Sequence, residues 1–414
     1  MRIQKCKGTR DLPPEEMRRF RQIEGVFRNT CLQWGYQEIR TPTIEYLHLF
    51  TSTGTLTPST LSKVYSFLDW DGWSGERVVL RPDGTIPVAR LYIDSATKEK
   101  LARFFYVTNI FIFEETGKET REKWQCGVEL IGADSTTADV ELITIALETL
   151  KNIGLENVEL KLSHAGIIRA LLTGFGLSPE EQGKVFDQIL DGNVAILNRL
   201  RARTPELARL LTPLLDLKGE SSGFLKNLKA VFSHNLPEFT PALDNFIAIA
   251  DLLTAMGQKY EIDIASGRRF EYYTGLIFQL FAGEVKVGGG GRYNALIPLM
   301  GGGNIPASGF ALYLDPLIGL IEAPRATAER ILITVPDEQP GLMKSAFQAM
   351  KQLHEAGFVA SLNLNAKAKE TYKWRLEVRP KAPRFVLSSK SGKRQQEVAT
   401  IDDVLKLLGG QRAR

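Results

Sequence analysis

Gly289-Gly290-Gly291-Arg292-Tyr293 is the most informative stretch of this 414-residue sequence, and Pro306-Ala307-Ser308-Gly309-Phe310-Ala311 follows it closely. Neither stretch matches G-x-x-x-x-G-K-[ST] or G-x-G-x-x-G, the glycine patterns of two kinds of phosphate-binding loop. Glycines in such a run are typical of strands that approach each other closely or turn sharply. Strand-like runs at Tyr260–Ala265, Tyr272–Ala282 and Glu284–Val287 precede the glycines, so we predict a sheet in this region.

The rest of the chain predicts further strands and helices around that sheet. Phe104–Phe113 and Trp124–Ile131 are apolar runs joined by a short polar loop, a pattern typical of a long hairpin. Asp139–Ile153 carries its apolar residues on one face of a predicted helix, and the apolar run Phe310–Ile321 predicts a buried helix. Other predicted elements are a helix that begins at Pro13 and Pro14 and ends before Gly35, and strands at 36–41, Arg77–Leu80 and 155–163.

The chain divides into three predicted regions. These strands and helices form one core from residues 1–163 and 258–323. Residues 164–257 are mostly helical in pattern, with breaks at glycines and prolines, so we predict a helical insertion. After a linker near Pro324, residues 330–414 alternate between strand and helix patterns, which predicts a small separate α/β domain. Its predicted elements are strands Ile331–Val335, Phe358–Leu362, Phe385–Ser388 and Glu397–Thr400 and helix Leu342–Ala356.

Composition and charge exclude several classes of protein. Hydrophobic residues make up 43% of the sequence and charged residues 24%, as in ordinary globular proteins. No apolar run approaches the roughly 20 residues of a membrane helix, and three scattered cysteines favour the cytoplasm over a disulfide framework. No Cys/His spacing suggests a zinc site, and we expect neither metal nor cofactor. Residues 325–414 carry 17 Lys or Arg against 9 Asp or Glu, a balance of +8 that suits either an anionic partner or a solvated surface.

Five motifs occur in order along the chain. They are Lys7-Gly8-Thr9-Arg10-Asp11-Leu12, Leu80-Arg81-Pro82-Asp83-Gly84-Thr85, Trp124-Gln125-Cys126-Gly127-Val128-Glu129, Arg268 with Glu271-Tyr272-Tyr273-Thr274-Gly275, and the glycine stretches quoted above. Each resembles part of the histidyl-tRNA synthetases, and the resemblance covers residues 1–135 and 258–322. It implies an α/β fold of the class II aminoacyl-tRNA synthetase type, with a mainly antiparallel sheet flanked by helices, and a homodimer formed through the region around Pro42.

The residue types in these motifs suit a pocket for a free amino acid. Three acceptor side chains match an ammonium group and one ring nitrogen of histidine, and Arg268 can hold a carboxylate in a bidentate arrangement. Tyrosines add hydroxyl groups and apolar ring faces. We predict a histidine-binding site formed by Asp83, Thr85, Gln125, Glu129, Arg268, Tyr272, Tyr273 and Tyr293. The alternative is that these are ordinary strand residues with satisfied partners.

Two positions differ from the synthetases where those enzymes hold ATP. Histidyl-tRNA synthetases place an arginine in the hairpin for the α-phosphate, and Ile112 stands at that position here. A second arginine of the family, which holds the γ-phosphate, corresponds to Pro316. Removing one donor that stabilises developing charge typically costs about 2.7–4 kcal/mol, or 10²–10³ in rate. We therefore expect a pocket that keeps its amino acid and has lost adenylation, and no catalytic residues.

The sequence resembles one paralogous family more closely than it resembles the synthetases themselves. Within Arg81–Arg90, Asp83 and Ile86 match the regulatory subunits of ATP phosphoribosyltransferase, whereas true synthetases usually carry Glu and Ala there. That family implies a non-catalytic subunit that pairs with a short-form catalytic subunit and binds histidine as the feedback inhibitor of histidine biosynthesis. Such inhibition is a linkage between two sites, typically about 1–3 kcal/mol of coupling.

Two other functions stay open. Residues 330–414 resemble a shortened anticodon-binding domain, which regulatory subunits usually lack in full, and their positive charge suits tRNA. The chain would then be an active histidine–tRNA ligase with an unusual ATP site. The third alternative is a non-enzymatic sensor or RNA-binding paralogue that serves another pathway. ATP–pyrophosphate exchange identifies the ligase, and a short-form transferase encoded nearby identifies the regulatory subunit.

Overall fold

A computed structural model describes most of the chain. The described residues are 4–53, 61, 63–69, 75–95, 101–113, 120–191, 193–205, 218–232, 239–267, 273–323, 330–364, 372–391 and 394–409. They form two compact units, residues 1–323 and residues 324–414. Each unit has its own β-structure and its own buried apolar core. Within the described ranges, no helix is long and apolar enough to cross a membrane.

The first unit contains a nine-stranded and a three-stranded sheet. Its strands are β1 (Gln37–Glu38), β2 (Ile44–Tyr46), β3 (Ser66–Leu68), β4 (Arg77–Leu80), β5 (Ala102–Phe111), β6 (Glu122–Ile131), β7 (Glu159–His164), β8 (Lys218–Gly219), β9 (Glu261–Asp263), β10 (Leu276–Ala282), β11 (Val285–Arg292) and β12 (Ala307–Tyr313). Its helices are α1 (Pro14–Gln33), α2 (Leu47–Thr51), α3 (Thr85–Asp94), α4 (Thr136–Asn152), α5 (Ala165–Gly174), α6 (Pro179–Leu190), α7 (Val194–Arg203), α8 (Ser222–Phe232), α9 (Phe239–Ala255), α10 (Leu296–Leu299) and α11 (Leu314–Leu320).

The large sheet has the strand order β1-β5-β6-β12-β11-β10-β7-β9-β8. Its pairs are antiparallel except β1 with β5 and β7 with β9. The predicted hairpin is confirmed as β5 and β6, which pair from Ala102 opposite Ile131 to Phe111 opposite Glu122. A mixed, mainly antiparallel sheet flanked by helices is therefore the fold, as predicted. The small sheet has the order β2-β4-β3.

The glycine run of β11 lies between β10 and β12. A Cβ atom at Gly290 would lie 2.1 Å from the carbonyl oxygen of Gly309, and one at Gly291 would lie 2.2 Å from that of Leu276. Real Cβ atoms do not approach other atoms so closely, so these strands can pair only because β11 has no side chains there. The prediction of closely approaching strands is confirmed.

The two faces of β6 have different neighbours. Cys126, Val128 and Leu130 belong to the main apolar core, which also contains residues of helices α1 and α4. Phe27 of α1 makes an edge-to-face contact with Phe105 of β5, with ring centroids 5.8 Å apart. Because successive side chains of a strand point to opposite faces, the intervening residues of β6 point to the other face of the sheet.

Two sequence predictions are wrong in part, and one helix was missed. The predicted helix Phe310–Ile321 is strand β12 up to Tyr313 and becomes helix α11 only from Leu314. A short apolar run does not distinguish a buried strand from a buried helix by periodicity, and pairing with β6 and β11 selects the strand here. The predicted strand 36–41 is reduced to β1. Helix α3 was missed, although Pro87 lies in its first turn, where proline is tolerated.

The second unit is a five-stranded sheet with the order β14-β13-β15-β16-β17. Its elements are β13 (Arg330–Thr334), α12 (Pro340–Glu355), β14 (Val359–Leu362), β15 (Trp374–Val378), β16 (Phe385–Ser389), β17 (Gln395–Val398) and α13 (Ile401–Gly409). The predicted strands and helix of this region are present, within about two residues at each end. Strand β15 and helix α13 were missed.

Candidate functional site

Strand β6 presents polar side chains on the face of the sheet opposite to the main core. Gln125 and Glu129 are 6% and 1% exposed, and Gly127 lies between them. A carboxyl group buried to this extent needs hydrogen-bond partners, because an unpaired buried charge is costly. Hydroxyl groups from three other elements supply them.

The carboxyl group of Glu129 accepts three hydroxyl hydrogen bonds. Tyr106 of β5 donates to Oε1 at 3.1 Å, and Tyr293, which follows β11, donates to Oε2. Thr85 forms the third bond. Burial raises the pKa of Glu129 to about 8; the three hydroxyl groups oppose this rise and the neighbouring Asp83 carboxylate adds to it. Burial therefore favours the neutral form of Glu129.

Asp83 caps the helix that carries Thr85. Its Oδ1 accepts the N–H groups of Thr85 at 2.8 Å and of Ile86 at 2.9 Å. These donors lie in the first turn of α3 and have no partner inside the helix. The cap fixes the start of the helix, and with it the position from which Thr85 reaches Glu129. Burial raises the pKa of Asp83, and the two backbone hydrogen bonds oppose that rise.

Glycines leave room for the side chains of this site. A Cβ atom at Gly127 would lie 2.1 Å from Cζ of Tyr106, and one at Gly309 would lie 2.1 Å from Oε2 of Glu129. The phenol of Tyr106 can therefore lie over β6, where it accepts a 3.4 Å hydrogen bond from Nε2 of Gln125. These side chains form a connected polar cluster that lies over the backbone of β6 and β12 at the two glycines.

The structure brings together five of the eight predicted site residues, namely Asp83, Thr85, Gln125, Glu129 and Tyr293. Tyr273 is next to them, since its ring lies over Gly291, which pairs with Gly309 opposite Glu129. Arg268 and Tyr272 lie outside the described residues.

Tyr106 belongs to the cluster and was missed by the sequence analysis. It lies in no motif that we quoted, although it occurs in the predicted hairpin. The available signal was its position directly opposite Gly127, between Gln125 and Glu129. A large side chain opposite a glycine, beside two polar residues, indicates that the side chain lies across the strand.

Arg292 of the glycine motif has a structural role. The guanidinium lies 2.9 Å from Oδ1 of Asp139, and it also donates to the carbonyl oxygens of Ala133 at 2.9 Å and Ser135 at 3.1 Å. Both members of this ion pair are buried. Burial raises the pKa of Asp139 to about 6, and Arg292 opposes the rise. The pair fastens the end of β11 to the start of helix α4.

Arg81 anchors the loop that leads to Asp83. It is 4% exposed, and its guanidinium donates to the carbonyl oxygens of Thr41, Pro42 and Asn109 at 2.8–2.9 Å. These bonds connect the loop to the segment around Pro42 and to strand β5. The first residue of the Arg81-Pro82-Asp83 run is therefore structural, and its neighbour Asp83 faces the polar cluster.

Both positions at which the synthetases carry an ATP-binding arginine lie within the described residues of this chain. Ile112 continues the hairpin, where its N–H donates to the carbonyl oxygen of Arg121 at 2.9 Å, and Pro316 lies in the first turn of α11. The preceding residue, Asp315, accepts from Arg10 at 2.5 Å and from the N–H of Trp124 at 2.8 Å. Asp315 therefore fixes the start of α11 against β6, and neither Ile112 nor Pro316 supplies a cation for a phosphate.

The chain is similar to known proteins over most of its length. A family model described as histidyl-tRNA synthetase matches residues 8–317. A protein of Dehalococcoides mccartyi named ATP phosphoribosyltransferase regulatory subunit is 52% identical over 380 residues, which cover 91% of this chain and 92% of that protein. A histidine–tRNA ligase of Archaeoglobus fulgidus is 33% identical over 375 residues, 88% of this chain and 86% of the ligase.

A solved structure gives the same result for the fold. It is described as an ATP phosphoribosyltransferase regulatory subunit/histidyl-tRNA synthetase from Bacillus halodurans, and it matches with a TM-score of 0.76 at 23% identity. The match covers 89% of this chain and 94% of the solved chain. The resemblance seen in the motifs is thus confirmed. The chain belongs to the histidyl-tRNA synthetase family and, within it, groups with the ATP phosphoribosyltransferase regulatory subunits.

Proposed function

We propose that this chain is a non-catalytic regulatory subunit of ATP phosphoribosyltransferase, that it acts in the cytoplasm, and that it binds histidine for feedback control of histidine biosynthesis. The observation that carries the proposal is the buried polar cluster around Glu129. In addition, Ile112 and Pro316 stand at the two positions where the resemblance to the synthetases places the ATP-binding arginines. The name of the Dehalococcoides relative supports the regulatory role.

The functional groups of histidine match the side chains of the cluster and of its neighbour Tyr273. The Asp83 carboxylate, whose Oδ1 caps helix α3, is our candidate for the ligand ammonium, together with Gln125. Glu129 is our candidate for a ring nitrogen, and the rings of Tyr273 and Tyr293 for the faces of the imidazole. A site built from hydrogen-bond partners rejects a ligand that lacks the matching group by a factor of about 10⁴ or more.

Two further residues of the proposed pocket come from the motif alone. Arg268 is our candidate for the carboxylate of the ligand, since a guanidinium binds a carboxylate in a bidentate arrangement. Tyr272 is proposed from the same motif. Both lie outside the described residues, so mutation is the direct way to test them.

The loss of adenylation follows from the chemistry of phosphates. Amino-acid activation places developing charge on the phosphate oxygens of ATP, and fixed donors stabilise it at about 2.7–4 kcal/mol each. Ile112 and Pro316 have no donating side chain. We therefore propose that the chain binds its amino acid without activating it, and that no cofactor takes part.

Regulation then requires a second protein. We propose a short-form ATP phosphoribosyltransferase catalytic subunit as the partner, and a homodimer of this chain through the region around Pro42, which Arg81 ties to the site loop. Histidine can inhibit such an assembly only if it binds the inactive arrangement more tightly than the active one. A coupling of about 1–3 kcal/mol corresponds to roughly 5–150-fold in affinity.

The second candidate is a histidine–tRNA ligase, and two observations favour it. The Archaeoglobus ligase covers 88% of this chain, and residues 325–414 carry the +8 balance that suits tRNA. Calorimetry of histidine binding, run beside histidine-dependent ATP–pyrophosphate exchange, separates the two. Binding without exchange supports the regulatory subunit, whereas robust exchange means that the protein is a ligase.

A further inference from the structure

Tyr106 is the centre of the polar cluster. Its side chain is 4% exposed, and its hydroxyl group donates to Oε1 of Glu129, accepts from Gln125 and lies beside the hydroxyl group of Thr85. The ring lies over Gly127, where any larger residue would collide with it.

Most of the hydrogen-bond positions of the Glu129 carboxyl group are occupied by hydroxyl groups of the protein. An ionised carboxyl group offers about four lone-pair positions for hydrogen bonds. Hydroxyl groups of Thr85, Tyr106 and Tyr293 use three of them. Within the described part of the chain, no Lys, Arg or His pairs with Glu129. With respect to the described residues, one position is therefore left, and the hydroxyl groups determine which one.

We propose that Tyr106 is a positioning residue of the amino-acid site, whose phenol holds the Glu129 carboxyl group and leaves one position open to a single ring nitrogen of the ligand. This inference rests on the proposed histidine site. The open position accepts a ring N–H when Glu129 is a carboxylate, and it offers a proton to a bare ring nitrogen when Glu129 is an acid. Imidazole satisfies both states, because its neutral ring has one donor and one acceptor nitrogen.

The charge of Glu129 depends on the groups that face it. Asp83 faces it from the loop before α3, Tyr106 from β5 and Tyr293 from the segment after β11, whereas β12 contributes only Gly309. Asp83 disfavours the carboxylate, and the two phenols favour it. Removing the Tyr106 hydroxyl therefore shifts Glu129 towards the acid, with no change in the shape of the ring.

The test is a carbon NMR titration of the full-length chain labelled at Cδ of glutamate. Glu129→Gln identifies the Glu129 resonance by removing it. We expect a titration midpoint near pH 8 in the native chain, and an upward shift of about one pH unit in Tyr106→Phe, since a donor to the carboxylate is lost. An unchanged midpoint in Tyr106→Phe overturns the proposal.

Tyr36→Phe is the matched control. Tyr36 is also buried and donates to a glutamate, Glu141, at 2.8 Å, but it does not contact the cluster. It removes the same kind of bond, so it reproduces any general loss of stability and should leave the Glu129 midpoint in place. A shift of equal size in Tyr36→Phe would overturn the specific role of Tyr106.

Calorimetry with histidine separates this inference from the function on which it rests. We expect Tyr106→Phe to bind histidine about five- to tenfold more weakly than Tyr36→Phe, and equal affinities overturn the positioning role. A native chain that does not bind histidine refutes the proposed function. The carbon titration then still decides whether Tyr106 controls Glu129.

Discussion

Glu129 and Gly309 lie directly opposite each other in strands β6 and β12, and the carboxyl group of Glu129 occupies the space that a side chain at position 309 would need. The glycine motif and the carboxylate are 180 residues apart in sequence, as the numbering shows. Their pairing explains why a strand in the centre of a sheet has a glycine at a position where glycine normally weakens the strand.

Gly309→Ala should damage both the fold and the site. Its Cβ atom would lie 2.1 Å from Oε2 of Glu129 and 2.4 Å from the carbonyl oxygen of Val128. We expect a loss of about 1–3 kcal/mol in the free energy of unfolding, together with loss of histidine binding. Denaturant unfolding and calorimetry measure the two effects. Gly319→Ala is the control, because nothing lies within 4 Å of that Cβ position in α11, and it should be neutral or stabilising.

Glu129→Ala should abolish the response to histidine while the chain stays folded. The variant removes the only carboxyl group of β6 that faces the cluster, and a hydrogen bond to a charged group contributes about 1.5–3 kcal/mol. We expect histidine affinity to fall at least tenfold in calorimetry. Glu141→Ala serves as the control, since Glu141 binds Tyr36 and Arg103 away from the cluster. Unchanged affinity in Glu129→Ala would remove Glu129 from the site.

The affinity for an acceptor-only analogue should depend on pH. The ring nitrogen of β-(2-thiazolyl)alanine accepts but does not donate, so it needs the acid form of Glu129. That form is present below the pKa of about 8 and is lost above it. Binding should therefore be constant at lower pH and fall about tenfold per pH unit above pH 8. In Glu129→Gln, whose amide donates at every pH, this fall should be absent; a fall of the same size there would contradict the account.

Arg292→Ala should destabilise the first unit strongly. It leaves the buried Asp139 carboxylate without its partner, a change that typically costs about 3–5 kcal/mol. The double variant Arg292→Met with Asp139→Asn should cost less than Arg292→Ala, because no unpaired charge remains. Urea unfolding of the three proteins measures the difference. A double variant as unstable as Arg292→Ala would mean that packing, not charge, dominates at this position.

Much of the first unit could be predicted from local patterns. The β5–β6 hairpin consists of two long apolar runs joined by a polar loop, and the motif order indicated the family before any strand was paired. The apolar run from Phe310 to Ile321 was misassigned, because a buried central strand and a buried helix look alike in a single sequence. The partner strands β6 and β11 decide between them, and they are far away along the chain.

The site residues that lie in a recognisable sequence motif could be predicted. Glu129, Asp83 and Thr85 came from quoted motifs, whereas Tyr106 enters the site through its register opposite Gly127. A register depends on the pairing of two strands and is not visible in either strand alone. The roles of Arg292 and Arg81 were equally hidden, because their partners are backbone carbonyl oxygens and a carboxylate from other segments.

The most direct measurement of the central claim is the activity of a short-form ATP phosphoribosyltransferase catalytic subunit titrated with this chain, with and without histidine. We expect the chain to raise the activity and histidine to reverse this increase, and we expect Glu129→Ala to activate without responding to histidine. If the chain leaves the activity unchanged at saturating concentration and catalyses histidine-dependent ATP–pyrophosphate exchange, it is not a regulatory subunit.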